Sequence, residues 1–77
     1  MVTIKLFGTL RLKTGCKAIE AEVPTVREGL EALAGATGLS HKELKQCITC
    51  INGAQAKLSA PLQDGDELVL FSPSGGG

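Results

Sequence analysis

Tryptophan and tyrosine are absent from this 77-residue chain, and phenylalanine occurs only twice. Charge of one sign is also lacking, because eight basic residues balance eight acidic ones. The basic residues, Lys5, Arg11, Lys13, Lys17, Arg27, Lys42, Lys45 and Lys57, are scattered rather than blocked. A nucleic-acid binder needs a basic patch, often interleaved with stacking rings, so nucleic acid is not an expected partner. No apolar run approaches the roughly 20 residues that span a bilayer, so no membrane association is expected. The opening Met1-Val2-Thr3-Ile4-Lys5 lacks the charged-then-apolar order of a secretory signal. The expected compartment is the cytoplasm.

Three cysteines are an odd number and exclude a complete set of internal disulfides. Cys47 and Cys50 form a C-x-x-C, but zinc would need further ligands, and Cys16 and His41 sit at irregular spacing. The pair falls in Cys47-Ile48-Thr49-Cys50-Ile51, which reads as a strand and places the two thiols on opposite faces. No metal site is expected, and the cysteines read as small, buried or half-buried residues. His41 is the sole histidine. It lies in a helix-start segment without a nucleophile to serve, so the chain is not expected to catalyse a reaction itself.

What is present is a sequence of short, well-punctuated elements. Val2, Ile4 and Leu6 alternate with Thr3, Lys5 and Phe7, a half-buried strand. Gly8 ends it, and Gly8 to Gly15 reads as a loop with a turn at Thr14-Gly15. Ile19, Ala21 and Val23 alternate in a second strand, so the opening is an antiparallel hairpin. Pro24 stops that strand. Thr25-Val26-Arg27-Glu28 is a capping box, and Val26, Leu30, Leu33 and Ala34 then mark one helical face. Gly38 is the expected C-cap. Gly29, within the helix, implies close packing on a sheet. Ser40-His41-Lys42-Glu43 is a second capping box, heading a short turn that buries Leu44.

Cys47 to Ile51 is the third strand, and Asn52-Gly53 is a strong two-residue hairpin signal. Ala54 to Leu58 returns as a short edge strand. Asp64-Gly65 makes another tight turn, and Glu67 to Phe71 is the last strand. Two opening strands, one main helix and later strands fit an α+β class β-grasp: a mixed sheet of four to five strands with the helix across one face. In that arrangement the first and last strands lie parallel at the centre. Residues 1–71 form the domain. Residues 72–77, Ser-Pro-Ser-Gly-Gly-Gly, form a flexible C-terminal tail.

Strand parity gives a second clue. The core sets are Val2, Ile4 and Leu6 in the first strand, and Leu68 and Leu70 in the last. Phe7, Val69 and Phe71 then point to the face without the helix, where they make one apolar patch beside the root of the tail. A patch of this kind on a small domain marks a partner surface. The competing expectation is that a strand-end Phe folds over the sheet edge into the core. Pro73, which ends the strand, joins Phe7, Val69 and Phe71 as a candidate partner contact. Glycine has no Cβ, so Gly75, Gly76 and Gly77 can thread a narrow channel and present an unhindered carboxylate.

The order Phe7-Gly8-Thr9-Leu10-Arg11, Pro24-Thr25-Val26, Ile51-Asn52-Gly53, Pro61-Leu62-Gln63-Asp64-Gly65-Asp66-Glu67 and Phe71-Ser72-Pro73-Ser74-Gly75-Gly76-Gly77 resembles the MoaD/ThiS family of ubiquitin-like sulfur carriers. The resemblance spans nearly the whole chain. It implies a β-grasp and a Gly77 carboxylate that is adenylated by an E1-like enzyme of the MoaB, MoeB or ThiF type, using ATP, and then converted to a thiocarboxylate. No cofactor would be bound by the chain itself. The Phe7–Arg11 opening and the Phe-x-Pro ending are most similar to the MoaD branch, the small subunits of molybdopterin synthase. That branch implies a MoaE-like large subunit as partner, sulfur delivery to a molybdopterin precursor, and hydrophobic contacts at Phe7 and Phe71. Leu12 stands where the branch has an acidic residue, and Ser74 and Gly75 depart from its usual tail. A carrier for thiamine thiazole synthesis or tRNA thiolation, and a ubiquitin-like interaction module, are the alternative expectations.

Overall fold

The computed structural model describes residues 1–71. The expectations placed on Pro73, Gly75, Gly76 and Gly77, and the boundary drawn at residue 72, lie outside the described residues.

The elements run β1 (Val2–Phe7), α1 (Thr9–Thr14), β2 (Ala18–Ala21), α2 (Val26–Thr37), α3 (His41–Lys45), β3 (Ile48–Ile51), β4 (Ala54–Gln55) and β5 (Glu67–Phe71). The five strands form one sheet in the order β2-β1-β5-β3-β4. β1 pairs antiparallel with β2 and parallel with β5, and β3 pairs antiparallel with both β4 and β5. The first and last strands are therefore central and parallel, the β-grasp arrangement read from the element order.

Alternation decides which side of each strand is buried. Val2, Ile4, Leu6, Leu68 and Leu70 are almost fully enclosed and face the helices. α2 contributes Val26, Leu30 and Leu33 to the same core, and α3 contributes Leu44. Each such side chain contributes about 1.5–3 kcal/mol by leaving water. Gly29 lets α2 settle on the sheet: a Cβ there would stand 3.1 Å from Leu68 Cδ2 and 3.6 Å from Ile4 Cδ1.

Both capping boxes form. The Glu28 N–H donates to Thr25 Oγ1 at 3.5 Å, and the Thr25 hydroxyl donates to the Glu28 carboxylate. The Glu43 N–H donates to Ser40 Oγ at 3.1 Å. Gly38 closes α2 in the left-handed region, φ +80°.

Four expectations need correction. The second strand ends at Ala21, where pairing with β1 reaches Val2 and has no further partner, so Val23 lies outside it. Gly8 to Gly15 is not a loop, because Thr9–Thr14 form α1, which buries Leu10 and ends on Gly15 at φ +69°. Six residues are too few to display a helical period, and Gly8 supplies no side-chain cap, so nothing local announces this helix. Cys47 precedes β3 rather than opening it. The return strand is only Ala54–Gln55, while residues up to Leu58 turn back towards α2. That segment is held by Arg27 N–H to Leu58 C=O (2.9 Å) and Val26 N–H to Ala60 C=O (3.0 Å).

The turn motif between Leu62 and Asp66 fixes the start of β5. The Asp66 carboxylate accepts from the Gln63 N–H (2.9 Å) and from Asn52 Nδ2 (3.0 Å). Asn52 Oδ1 accepts in turn from the Glu67 N–H at 3.0 Å. Asn52 takes φ +50° and Gly53 φ +89°, the positive values a tight hairpin turn requires. The Asn-Gly turn and the Asp-Gly-Asp turn are thus fastened to each other, and β5 begins in a fixed register.

Candidate functional site: the helix-free face of the sheet

Strand register sorts the outer face into rows, because laterally paired residues share a face. At the end where β5 starts, Glu20, Thr3 and Glu67 lie side by side. The middle row is Ala18, Lys5, Val69, Cys50 and Gln55. The third row, at the end of β5, is Phe7, Phe71 and Ile48. Polarity falls along β5 towards Phe71. Lys5 Nζ meets Glu67 Oε2 at 2.9 Å, an ion pair that links the first two rows of the face.

The expected set is brought together where it is described. Phe7 is 43% exposed, and Phe71 and Val69 are half-buried. None of the three belongs to the buried core, so neither phenylalanine plugs it. The sequence reading missed Ile48, which pairs with Phe71, and Cys50, which pairs with Val69. The run Cys47-Ile48-Thr49-Cys50-Ile51 does not alternate, so parity could not be assigned from it. Thr49 is the residue that faces inward, at 7% exposure, and its hydroxyl donates to the Ala56 carbonyl at 2.8 Å. A hydroxyl hidden by one local hydrogen bond is the feature that disguises the pattern.

The cysteines are free and half-buried. Cys50 lies on the outer face. Cys47 packs against the core, and its thiol donates to the Glu43 carbonyl at 3.3 Å. Burial, with the nearby Glu43 charge in second place, pushes the Cys47 thiol above its ordinary value. Among the described residues no group of three or more His, Cys, Asp or Glu side chains is arranged to hold a metal ion. No helix of the described residues is long and apolar enough to cross a membrane.

The arrangement is an outer face that is polar where β5 begins and carries an apolar row, Phe7, Phe71 and Ile48, where β5 ends. The family model described as the ThiS family matches residues 4–77, nearly the whole chain. This chain belongs to the ThiS family. No curated protein matches it. Among solved structures, this ThiS-family chain is similar to SAMP1 from Haloferax volcanii, at 31% identity over 99% of this chain and 98% of that one, with a TM-score of 0.86. It is similar at 25% identity to a chain of the BexX/CysO complex of Amycolatopsis orientalis, over 100% of both chains, with a TM-score of 0.77. It is also similar at 25% identity to a chain of the complex of subunits 1 and 2 of the molybdopterin-converting factor of Helicobacter pylori, over 99% of this chain and 97% of that one, with a TM-score of 0.69. The ThiS-family relatives are thus a mixed group of ubiquitin-like carriers and modifiers, some of them solved with a partner chain.

Proposed function

We propose that this chain is a sulfur carrier that acts as the small subunit of a molybdopterin synthase. The observation that carries the reading is the apolar row Phe7, Phe71 and Ile48 at the end of β5, continuous in sequence with the glycine-ended segment 72–77. A partner seated on that row would receive the segment that follows Phe71. Six extended residues reach at most about 20 Å, enough to carry Gly77 into a neighbouring active site.

In this reading an E1-like enzyme supplies ATP. A Gly77 carboxylate oxygen attacks the α-phosphorus, pyrophosphate leaves, and an acyl-adenylate forms. Hydrosulfide then attacks the carbonyl carbon, AMP leaves with the electron pair of the broken C–O bond, and loss of the sulfur-bound proton yields the thiocarboxylate. Pro73 would set the direction of the segment, and Gly75 and Gly76 would pass through a narrow channel that a Cβ would obstruct. A MoaE-like large subunit would hold the pterin precursor and supply the catalytic groups.

Intact mass spectrometry tests this directly. Incubation with ATP, a sulfide source and a cognate adenylating enzyme should exchange one Gly77 oxygen for sulfur, and deletion of Gly77 should abolish the exchange. Absence of the exchange with a competent enzyme sinks the carrier reading. Co-purification with a molybdopterin-synthase large subunit supports the assigned pathway, whereas capture of a thiazole synthase or tRNA-thiolation enzyme overturns it.

One observation favours a second reading. The 31% identical structure is of SAMP1, a name spelled out in a related structure as small archaeal modifier protein 1. As a modifier, the chain would be attacked at the Gly77 carbonyl of its acyl-adenylate by a neutral lysine amine, AMP would leave as the amine loses a proton, and the chain would remain on the target through an isopeptide bond. Recovery of such adducts from cells would favour that use.

A further inference from the structure

On the opposite side of the sheet, α2, α3 and the segment after β4 enclose a groove of about 490 Å³. Leu30, which is buried, and Leu58, which is half-buried, are its apolar lining, and Arg27, Glu31, His41 and Lys45 complete it. Leu30, Lys45 and Leu58 also line a second hollow of about 230 Å³ that runs on to Gln55 and Lys57. The two hollows adjoin through these three shared residues, and their joint lining forms a channel surface from Arg27 in α2 to Gln55 in β4.

Three fixed cations border this channel, Arg27, Lys45 and Lys57, against the single acid Glu31, on a chain whose formal net charge is zero. The cations that the described residues hold in ion pairs are elsewhere: the N-terminal ammonium with Asp64, Lys5 with Glu67, and Lys13 with Glu43. The walls are preformed. The backbone bonds from Arg27 to Leu58 and from Val26 to Ala60 fix the 57–60 segment against the first turn of α2.

We propose that this channel receives an extended segment of a partner protein in which an apolar side chain is flanked by carboxylates. The apolar side chain lies over Leu30 and Leu58, and the carboxylates meet Arg27 at one end and Lys45 and Lys57 at the other. Glu31, the one acid in the lining, disfavours a compact anion and suits acids spaced along a chain. The first hollow is lined by no residue of the Phe7, Phe71 and Ile48 row, whereas the second reaches Ile48 and Gln55 at the sheet edge. This inference does not rest on sulfur chemistry at Gly77.

The test is amide-resolved NMR titration of the full chain with acetyl-Asp-Glu-Ile-Asp-Glu-amide. Saturable shifts of Arg27, Leu30, Glu31, Lys45 and Leu58 are expected. The peptide with Gly for Ile should bind at least about five-fold more weakly. The double variant R27E/K45E, both positions being exposed, should retain the native spectrum and bind at least about ten-fold more weakly. F7E should bind the peptide as the unsubstituted chain does, which separates this surface from the sheet face. The proposal is overturned by shifts that map to the sheet face, by equal affinity for the Gly peptide, or by R27E/K45E binding unchanged. Inorganic phosphate or a tRNA moving the same amides at lower concentration than the peptide would also overturn it.

Discussion

Phe7 and Phe71 are direct cross-strand partners in the parallel β1–β5 pair, on the face that carries no helix. Two neighbouring strands therefore end their outward rows on the chain's two aromatic side chains, at the end of the sheet where β5 gives way to residue 72.

Phe71→Asp should weaken docking of the proposed large-subunit partner far more than it weakens folding. Central aromatic anchors cost 2 kcal/mol or more on truncation, so a loss of at least about thirty-fold in affinity is expected by calorimetry. The urea midpoint should change little, since Phe71 is outside the buried core. Leu70→Ala, one residue away but fully enclosed, should reverse the pattern and cost about 2–5 kcal/mol of stability.

Gly29→Val should destabilise the domain by about 1–3 kcal/mol, because the added branches press on Leu68 and Ile4. Gly29→Ala should be nearly neutral. Its gain in helix propensity, about 1 kcal/mol, offsets the small displacement needed at Leu68 Cδ2. Urea denaturation of the two variants measures both.

The Lys13 ammonium hydrogen-bonds the Glu43 carboxylate and, with its charge and the Ser40 contacts, holds that carboxyl below its ordinary value of 4.5. A carboxyl depressed in the folded state adds stability above its unfolded value, and that contribution disappears as pH falls through the folded value. Lys13→Met should therefore lower thermal midpoints near neutrality slightly and flatten their decline below about pH 4.5. The pair is exposed, so the change will be small and should shrink further in salt.

Cys47 should alkylate more slowly than an unstructured thiol at about pH 8, because raising its pKa reduces the thiolate fraction. Glu43→Gln should accelerate the reaction by removing the nearby charge. Peptide mapping after timed iodoacetamide treatment reads both rates, and a rate equal to that of a free cysteine peptide would contradict the assigned environment.

The features legible in sequence were those written in local chemistry. Thr25 with Glu28, and Ser40 with Glu43, announce two helix starts because capping needs specific oxygens at specific spacing. Asn52-Gly53 announces a hairpin because few residues accept positive φ. Val2-Ile4-Leu6 and Leu68-Leu70 announce their buried faces by period. α1 was hidden because one turn and a half buries only Leu10. Ile48 was hidden because its neighbour Thr49 faces inward, which only the β3–β5 register reveals. The paired arrangement of Phe7 and Phe71 followed from parity, yet their adjacency depended on a parallel pairing that the element order only suggested.

The central position of β5 has a mechanical consequence. Its backbone is bonded to β1 on one side and β3 on the other, and its first residues are fastened to Asn52. A pull on Phe71 directed along the β5 axis loads both ladders in shear, with many hydrogen bonds resisting at once rather than one after another. A partner can draw on the residues after Phe71 without unravelling the domain, which serves as a stiff handle for whatever those residues carry.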